Sequence, residues 1–111
     1  MEHAEHVDLK RKELIGVAIA MLAGELNLIE GVRRICGLRF AVDDPDNAVF
    51  LIVRGIESQT DAFPIGAMRS NCNQEYLQKM DAEMDSYLAD AATDILQACN
   101  EIISTFTVSD L

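Results

Sequence analysis

The sequence predicts an all-α fold, a small bundle of three to four helices with a long C-terminal helix, and three observations lead to it. Residues that favour helix N-caps precede apolar, helix-periodic segments at Asn27, Asp44 and Asn71. No glycine or proline follows Asn71, and the apolar residues of that last third recur every three or four positions. The one apolar run that could form a strand has no convincing second strand to pair with.

The first helix is predicted from about Val7 to Ala23, with Gly24 as its terminating residue. Apolar residues cover most of its circumference, so we expect it in the middle of the bundle. Basic residues precede its apolar run, as they do in a signal peptide. However, acidic residues precede those bases, and the run is shorter than the roughly 20 residues that span a bilayer. We therefore expect a buried helix in a cytoplasmic protein.

The second helix is predicted to start after Asn27, which forms a capping-box pattern with Glu30. Its apolar residues recur at helical spacing as far as Phe40, with Arg33 and Arg34 on the outer face. Because the link to the first helix is short, we expect the two helices to pack antiparallel as neighbours.

The third element is predicted to start at Asp44 as N-cap, with Pro45 as its first residue. The apolar run from Val49 to Val53 follows, and its periodicity does not distinguish a strand from a helix. Its β-branched residues favour a strand, but an isolated strand leaves its backbone groups unpaired. We therefore assign a short helix to this run.

The last helix is predicted to begin after Asn71, which forms a capping pattern with Gln74, and to run for roughly 35 residues or about 50 Å. That length exceeds the width of a domain of this size. We therefore expect its far end to bend back or to pack on another chain. The sequence predicts a homodimer in which this helix supplies much of the contact. The methionines of the helix are interpreted as core residues rather than as a cofactor site.

The segment between the third and last helices, at about residues 57–70, is predicted to be an ordered irregular loop. Ser58, Thr60 and Asp61 bond readily to nearby backbone groups and compete with regular structure. Pro64 restricts the chain, and Gly66 permits a left-handed turn. Two interpretations stay open: a connection whose apolar residues lie under the core, and a loop that the scaffold holds rigid for recognition.

Length and charge indicate one domain, residues 1–111, with an acidic second half. Half of the 111 residues are apolar, which suffices for a core. Residues 1–42 hold six acids and six bases, whereas residues 43–111 hold thirteen acids and three bases. This acidic half disfavours nucleic acids and anionic membranes and favours a basic protein partner. The simpler interpretation, that the charge serves only solubility, stays open.

No pattern of residues indicates a catalytic site, a cofactor or a metal. Cys36, Cys72 and Cys99 lack the spacing of a zinc site or a disulfide framework, so we expect free thiols, the first and last of them in the core. His3 and His6 stand among acidic residues and could hold a metal. A frayed chain end explains them more simply.

Two runs of residues and the acidic helix after Leu77 resemble a family of small uncharacterised bacterial proteins. The runs are M-L-A-G-E-L-N-L-I-E-G-V-R-R-I at 21–35 and F-L-I-V-R-G-I-E-S-Q-T-D-A-F-P-I-G-A-M-R at 50–69, and the resemblance covers about residues 13–103. Members share a pattern resembling I-D-S-E-T-D-x-x-P-x-G-x-x-R and often occur beside polymorphic toxin genes, which implies an immunity-like role. Glu57 stands where the pattern has Asp, and Gln59 where it has an acid. The pattern otherwise falls on Ile56, Ser58, Thr60, Asp61, Pro64, Gly66 and Arg69.

Three functions are compatible with these observations. We favour a non-enzymatic cytoplasmic protein that binds a basic protein partner, such as a toxin, through its acidic half and the 57–69 loop. Phe63 is then the apolar anchor if it is exposed, and Arg69 is expected to pair with Asp61 or Glu57. The alternatives are a small enzyme that uses Glu57, Asp61 and Arg69 at a dimer interface, and a structural oligomerisation module without a ligand. The predicted partner-binding residues are Glu57, Ser58, Thr60, Asp61, Phe63 and Arg69.

Overall fold

The computed structural model describes residues 2–107. Four α-helices and two short 3-10 helices account for most of these residues, and no strand occurs among them. The predicted all-α fold with a long last helix is therefore confirmed. The α-helices are α1 (His3–Leu22), α2 (Leu28–Ala41), α3 (Leu51–Thr60) and α4 (Gln74–Phe106), and the 3-10 helices are Ala48–Phe50 and Gly66–Asn71.

The first two helices run antiparallel, as their short link predicts. Arg11, in the first half of α1, donates a hydrogen bond to the carbonyl of Val42 just after α2, over 3.5 Å. Met21, near the end of α1, lies against Gly31 at the start of α2, where the absence of a side chain lets the two helices approach closely.

The alternation of direction continues through α3 and α4. The Phe50 ring just before α3 packs on Phe106 at the end of α4, with ring centroids 5.7 Å apart. At the other end of α3, Gln59 accepts a hydrogen bond from the hydroxyl of Tyr87 in the first half of α4. The four helices therefore form an up-down-up-down bundle in which α4 contacts both α1 and α3.

Two apolar clusters fill the bundle. The larger lies among all four helices and contains fully buried residues of each of them, for example Leu14, Ile35, Val53 and Ile95. The smaller lies under the first half of α4 and consists of Ile29, Phe63, Met80 and Met84. The methionines of α4 are thus core residues, as predicted.

The end of α1 has the predicted geometry. Gly24 adopts a left-handed backbone conformation with φ of +75°. The N–H of Glu25 donates to the carbonyl of Ala20 over 2.9 Å, and that of Gly24 donates to Met21 over 3.2 Å. This pair of bonds is a Schellman motif, which satisfies carbonyls at the end of the helix.

Two features of α1 differ from the prediction. The helix begins at His3 rather than at about Val7. It also does not occupy the middle of the bundle, because only α2 and α4 flank it extensively. As a result, Ile19 and Leu22 are 52% and 38% exposed despite the apolar character of the helix.

The cap of α2 is confirmed. The side chain of Asn27 accepts hydrogen bonds from the N–H groups of Ile29 and Glu30 over 2.9 and 3.1 Å. The reciprocal half of the capping box does not form, since the Glu30 carboxylate accepts from Arg34 one turn later, over 3.1 Å.

The third helical segment starts later than predicted. Asn47, rather than Asp44, caps it by accepting from the N–H of Val49 over 3.0 Å. Asp44 instead accepts from the side-chain amide of Asn47 over 2.8 Å, so it holds the capping residue in place. The apolar run from Val49 to Val53 is helical, which confirms its assignment.

The start of α4 is also shifted, whereas its length is close to the prediction. Asn73, rather than Asn71, caps the helix by accepting from the N–H of Tyr76 over 2.7 Å. The helix has 33 residues and runs along the longest dimension of the protein, 52 Å. Its buried residues extend from Met80 to Phe106, so its own chain covers most of its length. None of the helices in residues 2–107 combines the length and the apolar character needed to cross a bilayer.

Candidate functional site

The segment predicted as an irregular loop is mostly helical. Its first four residues form the last turn of α3, and its last part belongs to the second 3-10 helix. Thr60, expected to disturb regular structure, instead continues it: its buried hydroxyl donates to the carbonyl of Ile56 over 2.7 Å. The irregular connection is therefore limited to residues 61–65.

Arg33 of α2 holds the end of α3. Its guanidinium donates to the carbonyls of Thr60 and Phe63, both over 2.8 Å, and to that of Asp61 over 3.4 Å. These carbonyls lie at the negative end of the α3 dipole, where a cation is favourable. The sequence placed Arg33 on an outer face, and no pattern in it distinguishes this arginine from Arg34.

The apolar residues of the connection are buried. Phe63 is only 9% exposed and packs edge-on against Tyr87 with centroids 6.2 Å apart, and Pro64 is fully buried. The expectation that Phe63 anchors a partner therefore fails, because its ring completes the smaller apolar cluster instead.

Arg69 pairs with α4 rather than with the loop. Gly66 has a φ of +66°, as predicted, and the chain then turns so that Arg69 donates to both carboxylate oxygens of Asp81 over 2.8 Å and to the carbonyl of Pro64 over 3.1 Å. The expected pairing with Asp61 or Glu57 is wrong. The two hydrogen bonds between Arg69 and Asp81 lower the pKa of Asp81 and raise the pKa of Arg69 relative to their ordinary values.

The six predicted partner-binding residues thus have different environments. Thr60 and Phe63 are buried, and Arg69 is engaged by Asp81. The others reach the surface and line one shallow depression together with Arg33; they are Glu57, Ser58 and Asp61.

A separate groove lies between α3 and α4 and was not predicted from the sequence. It encloses about 430 Å³. Leu51 and Ile52 lie on its α3 side and are 59% and 48% exposed, so together they present a small apolar patch to the groove. Gly55 lies between them and the end of α3, and a Cβ added there would meet no atom within 4 Å.

The α4 side of the groove is acidic. Asp90 and Asp94 lie one turn apart along it, and neither forms an ion pair within residues 2–107. Tyr87 donates to Gln59 over 2.8 Å and so links the two helices at one end of the groove, and burial raises the pKa of its hydroxyl. The groove therefore combines an apolar side with an uncompensated negative side.

The cysteines are free thiols, as predicted. Burial raises the pKa of Cys36 to about 12, with a further contribution from the nearby Glu57 carboxylate. Burial alone raises the pKa of Cys99 to about 11. Because only the thiolate is nucleophilic, these two buried residues are inert core side chains near neutral pH. Cys72 is the partly exposed one.

The N-terminal histidines do not assemble a metal site. His3 lies in the first turn of α1, with its Nε2 at 3.3 Å from a carboxylate oxygen of Asp43, and both side chains are largely exposed. Across residues 2–107, no three side chains of the metal-ligating types come together.

No protein family, curated protein or solved structure matches this chain in comparisons of sequence and structure.

Proposed function

We propose that this protein is a non-enzymatic cytoplasmic binding protein that captures a basic protein partner on the acidic side formed by α3 and α4. The observation that carries the proposal is the exposed apolar pair Leu51 and Ile52 beside Asp90 and Asp94, two carboxylates that form no ion pair within residues 2–107. The resemblance to proteins encoded beside toxin genes makes a toxin a suitable partner and gives the protein an immunity-like role.

Electrostatics supports a basic partner in particular. Residues 43–111 contain thirteen acids and three bases, and one of those bases, Arg69, is already bound to Asp81. A surface with one dominant sign of charge accelerates encounter with a partner of the opposite sign and repels nucleic acids and anionic membranes. The apolar pair then supplies contact area that charge alone does not provide.

The depression lined by α3 and Arg33 is a second accessible surface. Glu57, Ser58 and Asp61 are the predicted partner-binding residues that remain accessible, and two of them are acidic. Arg33 holds the backbone carbonyls of Thr60 and Asp61, so this surface is preformed. A partner that binds it would therefore lose little free energy to the ordering of the chain. Thr60, Phe63 and Arg69 contribute indirectly, since they keep the connection in place.

The geometry does not favour the alternative of a small enzyme. That hypothesis brings Glu57, Asp61 and Arg69 together at a dimer interface, and within one chain these three residues do not share a site. Instead, Glu57 and Asp61 line one depression, whereas Arg69 lines another together with Asp81. An aspartate whose pKa is lowered by an arginine is suited to bracing the chain rather than to proton transfer near neutral pH.

The test is a comparison of proteins retained from a lysate of the source organism by the wild type and by two charge-reversal variants, Glu57→Lys/Asp61→Lys and Asp90→Lys/Asp94→Lys. We expect a basic protein on the wild type, weaker retention on the variants, and an association rate that falls steeply with salt, since exposed charges are screened over about 10 Å at 0.1 M. Circular dichroism verifies that the variants remain helical. Retention of no basic protein, or equal retention by the variants, would contradict the proposal.

A further inference from the structure

We infer that the groove between α3 and α4 is the docking site for an amphipathic, basic helix of the partner, an inference that rests on the proposed function. Helices that insert an apolar face into a groove are a recurrent mode of protein recognition. From Leu51 to Gln59 the α3 side of the groove is about 12 Å long, which accommodates two to three turns of a partner helix.

Gly55 is the first argument for this use of the groove. Gly55 lines the groove, and because it has no side chain a partner's side chains can approach the α3 backbone there. Gly16 of α1 and Gly37 of α2 are also helix glycines whose added Cβ would meet nothing within 4 Å. The position of Gly55 in the groove, rather than the presence of a glycine, therefore carries this argument.

The second argument is that one side of the groove is apolar and the other side is acidic. Leu51 and Ile52 expose apolar surface on one side, and Asp90 and Asp94 place two carboxylates on the other. A helix with a leucine-rich stripe and flanking lysine or arginine residues complements both sides at once. A peptide that is only basic, or only apolar, complements one of them.

Charge also excludes a second copy of this chain as the occupant. The chain carries a formal charge of −10. Symmetric pairing through this groove would bring Asp90 and Asp94 of both copies together in a partly desolvated interface, where like charges are strongly unfavourable. A basic segment neutralises the same carboxylates.

The experiment measures binding of three synthetic peptides of about four turns to the protein by fluorescence anisotropy. One is an amphipathic leucine/lysine helix, one has the same composition in a scrambled order without helical periodicity, and one carries glutamate in place of lysine. The variant Gly55→Leu fills the groove. Gly37→Leu is the matched control, because Gly37 is also an exposed glycine inside a helix with no atom near its Cβ position, and it does not line the groove.

We expect the wild type and Gly37→Leu to bind the amphipathic basic peptide equally, and about tenfold or more tightly than the scrambled peptide. Gly55→Leu should lose about tenfold or more in affinity, and the glutamate peptide should not bind. If Gly55→Leu lowers helicity, the exposed pair Asp90→Lys/Asp94→Lys replaces it as the disruptive variant.

Two outcomes separate this inference from the proposed function. Equal binding of the amphipathic and scrambled basic peptides, unaffected by Gly55→Leu, would overturn the groove as a helix-docking site while leaving capture of a basic partner intact. Failure of every basic peptide to bind would overturn the docking inference as well. The proposed function itself is tested by the lysate experiment, and it would fail if the wild type retained no basic protein or if the charge-reversal variants retained it equally.

Discussion

At the scale of single residues, the connection after α3 depends on three residues with different roles. Gly66 places the backbone in the left-handed region, Pro64 fills a buried position, and Arg69 joins the connection to Asp81. Gly66 avoids backbone strain, Pro64 contributes to the packing, and Arg69 pairs with a charged carboxylate. Residues of the pattern I-x-S-x-T-D-x-x-P-x-G-x-x-R in this chain are therefore largely explained by the construction of the turn.

Gly66→Val should lower the free energy of unfolding by roughly 1 to 3 kcal/mol. The φ of +66° is strained for a β-branched residue, and the cost is one of backbone conformation because no atom lies within 4 Å of the added Cβ. Urea unfolding followed by circular dichroism measures the change. Gly66→Asn is the control and should cost less, since asparagine tolerates this region. A valine variant as stable as the wild type would contradict the strain argument.

The pair formed by Arg69 and Asp81 should make stability depend on pH. The pKa of folded Asp81 lies below its ordinary value of 3.8, so the pair stabilises the fold above that pH and the contribution is lost as the pH falls through the folded pKa. Asp81→Asn should therefore lower the urea midpoint at neutral pH, and its difference from the wild type should shrink below about pH 4.

Asp85→Asn, one turn later on α4, is the matched control for this measurement, because Asp85 forms no ion pair within residues 2–107. It should leave the neutral-pH midpoint closer to that of the wild type. If the urea midpoint of Asp81→Asn stayed below that of the wild type by the same amount from neutral to acid pH, the pair would not act through the carboxylate charge.

At the scale of elements, two arginines fix the connection between α3 and α4 from opposite sides. Arg33 reaches from α2 to the carbonyls at the end of α3, and Arg69 reaches from the 3-10 helix to α4. Three helices are thereby held at one end of the bundle. The surface formed by Glu57, Ser58 and Asp61 owes its fixed shape to this arrangement.

Arg33→Ala should destabilise the protein by about 1.5 to 3 kcal/mol, because three carbonyls lose hydrogen bonds from a charged donor. Amide hydrogen exchange should accelerate most in the last turn of α3 and in residues 61–65. Arg34→Ala is the control: Arg34 is exposed and contacts only Glu30, an ion pair of the kind that contributes little. Equal effects of the two substitutions would contradict the capping role of Arg33.

At the scale of the whole molecule, α4 organises the bundle. It runs the full length of the protein, packs against α1 and α3, and supplies buried residues to both apolar clusters. The smaller cluster covers the first half of α4. The far end, which was expected to bend back or to pack on another chain, buries Ile102 and Phe106 in the larger cluster. Most of the apolar face of the helix is therefore satisfied within one chain.

The homodimer in which α4 supplies much of the contact stays a prediction. Ile19 and Leu22, one turn apart on α1, are exposed apolar residues, and we expect them to add to that contact. Sedimentation at micromolar concentration should give a mass near twice the 12.3 kDa of the chain, and Ile19→Glu/Leu22→Glu should reduce it to that of one chain. A wild-type mass near 12.3 kDa would contradict the dimer.

Local signals determined much of the fold. Apolar patterns predicted α1, α2 and α4, and the lack of a pairing strand led to the helical assignment of α3. Asn27 was the correct cap, and Gly24 and Gly66 have the expected left-handed conformations. These features depend on residues within one or two turns of each other. Where two polar residues competed for a cap, as with Asp44 and Asn47, the local pattern did not discriminate between them, because either can accept the same backbone bonds.

The candidate site, by contrast, was decided by tertiary structure. Nothing in the local sequence shows that Arg33 caps α3, that Phe63 is buried or that Asp81 binds Arg69. Nor does it show that Gly55 lines a groove. Those roles arise from contacts between residues that are at least 12 positions apart in the sequence. Such contacts exist only once four helices alternate in direction and pack around a shared core, because packing then selects which polar groups meet and which apolar ones remain exposed.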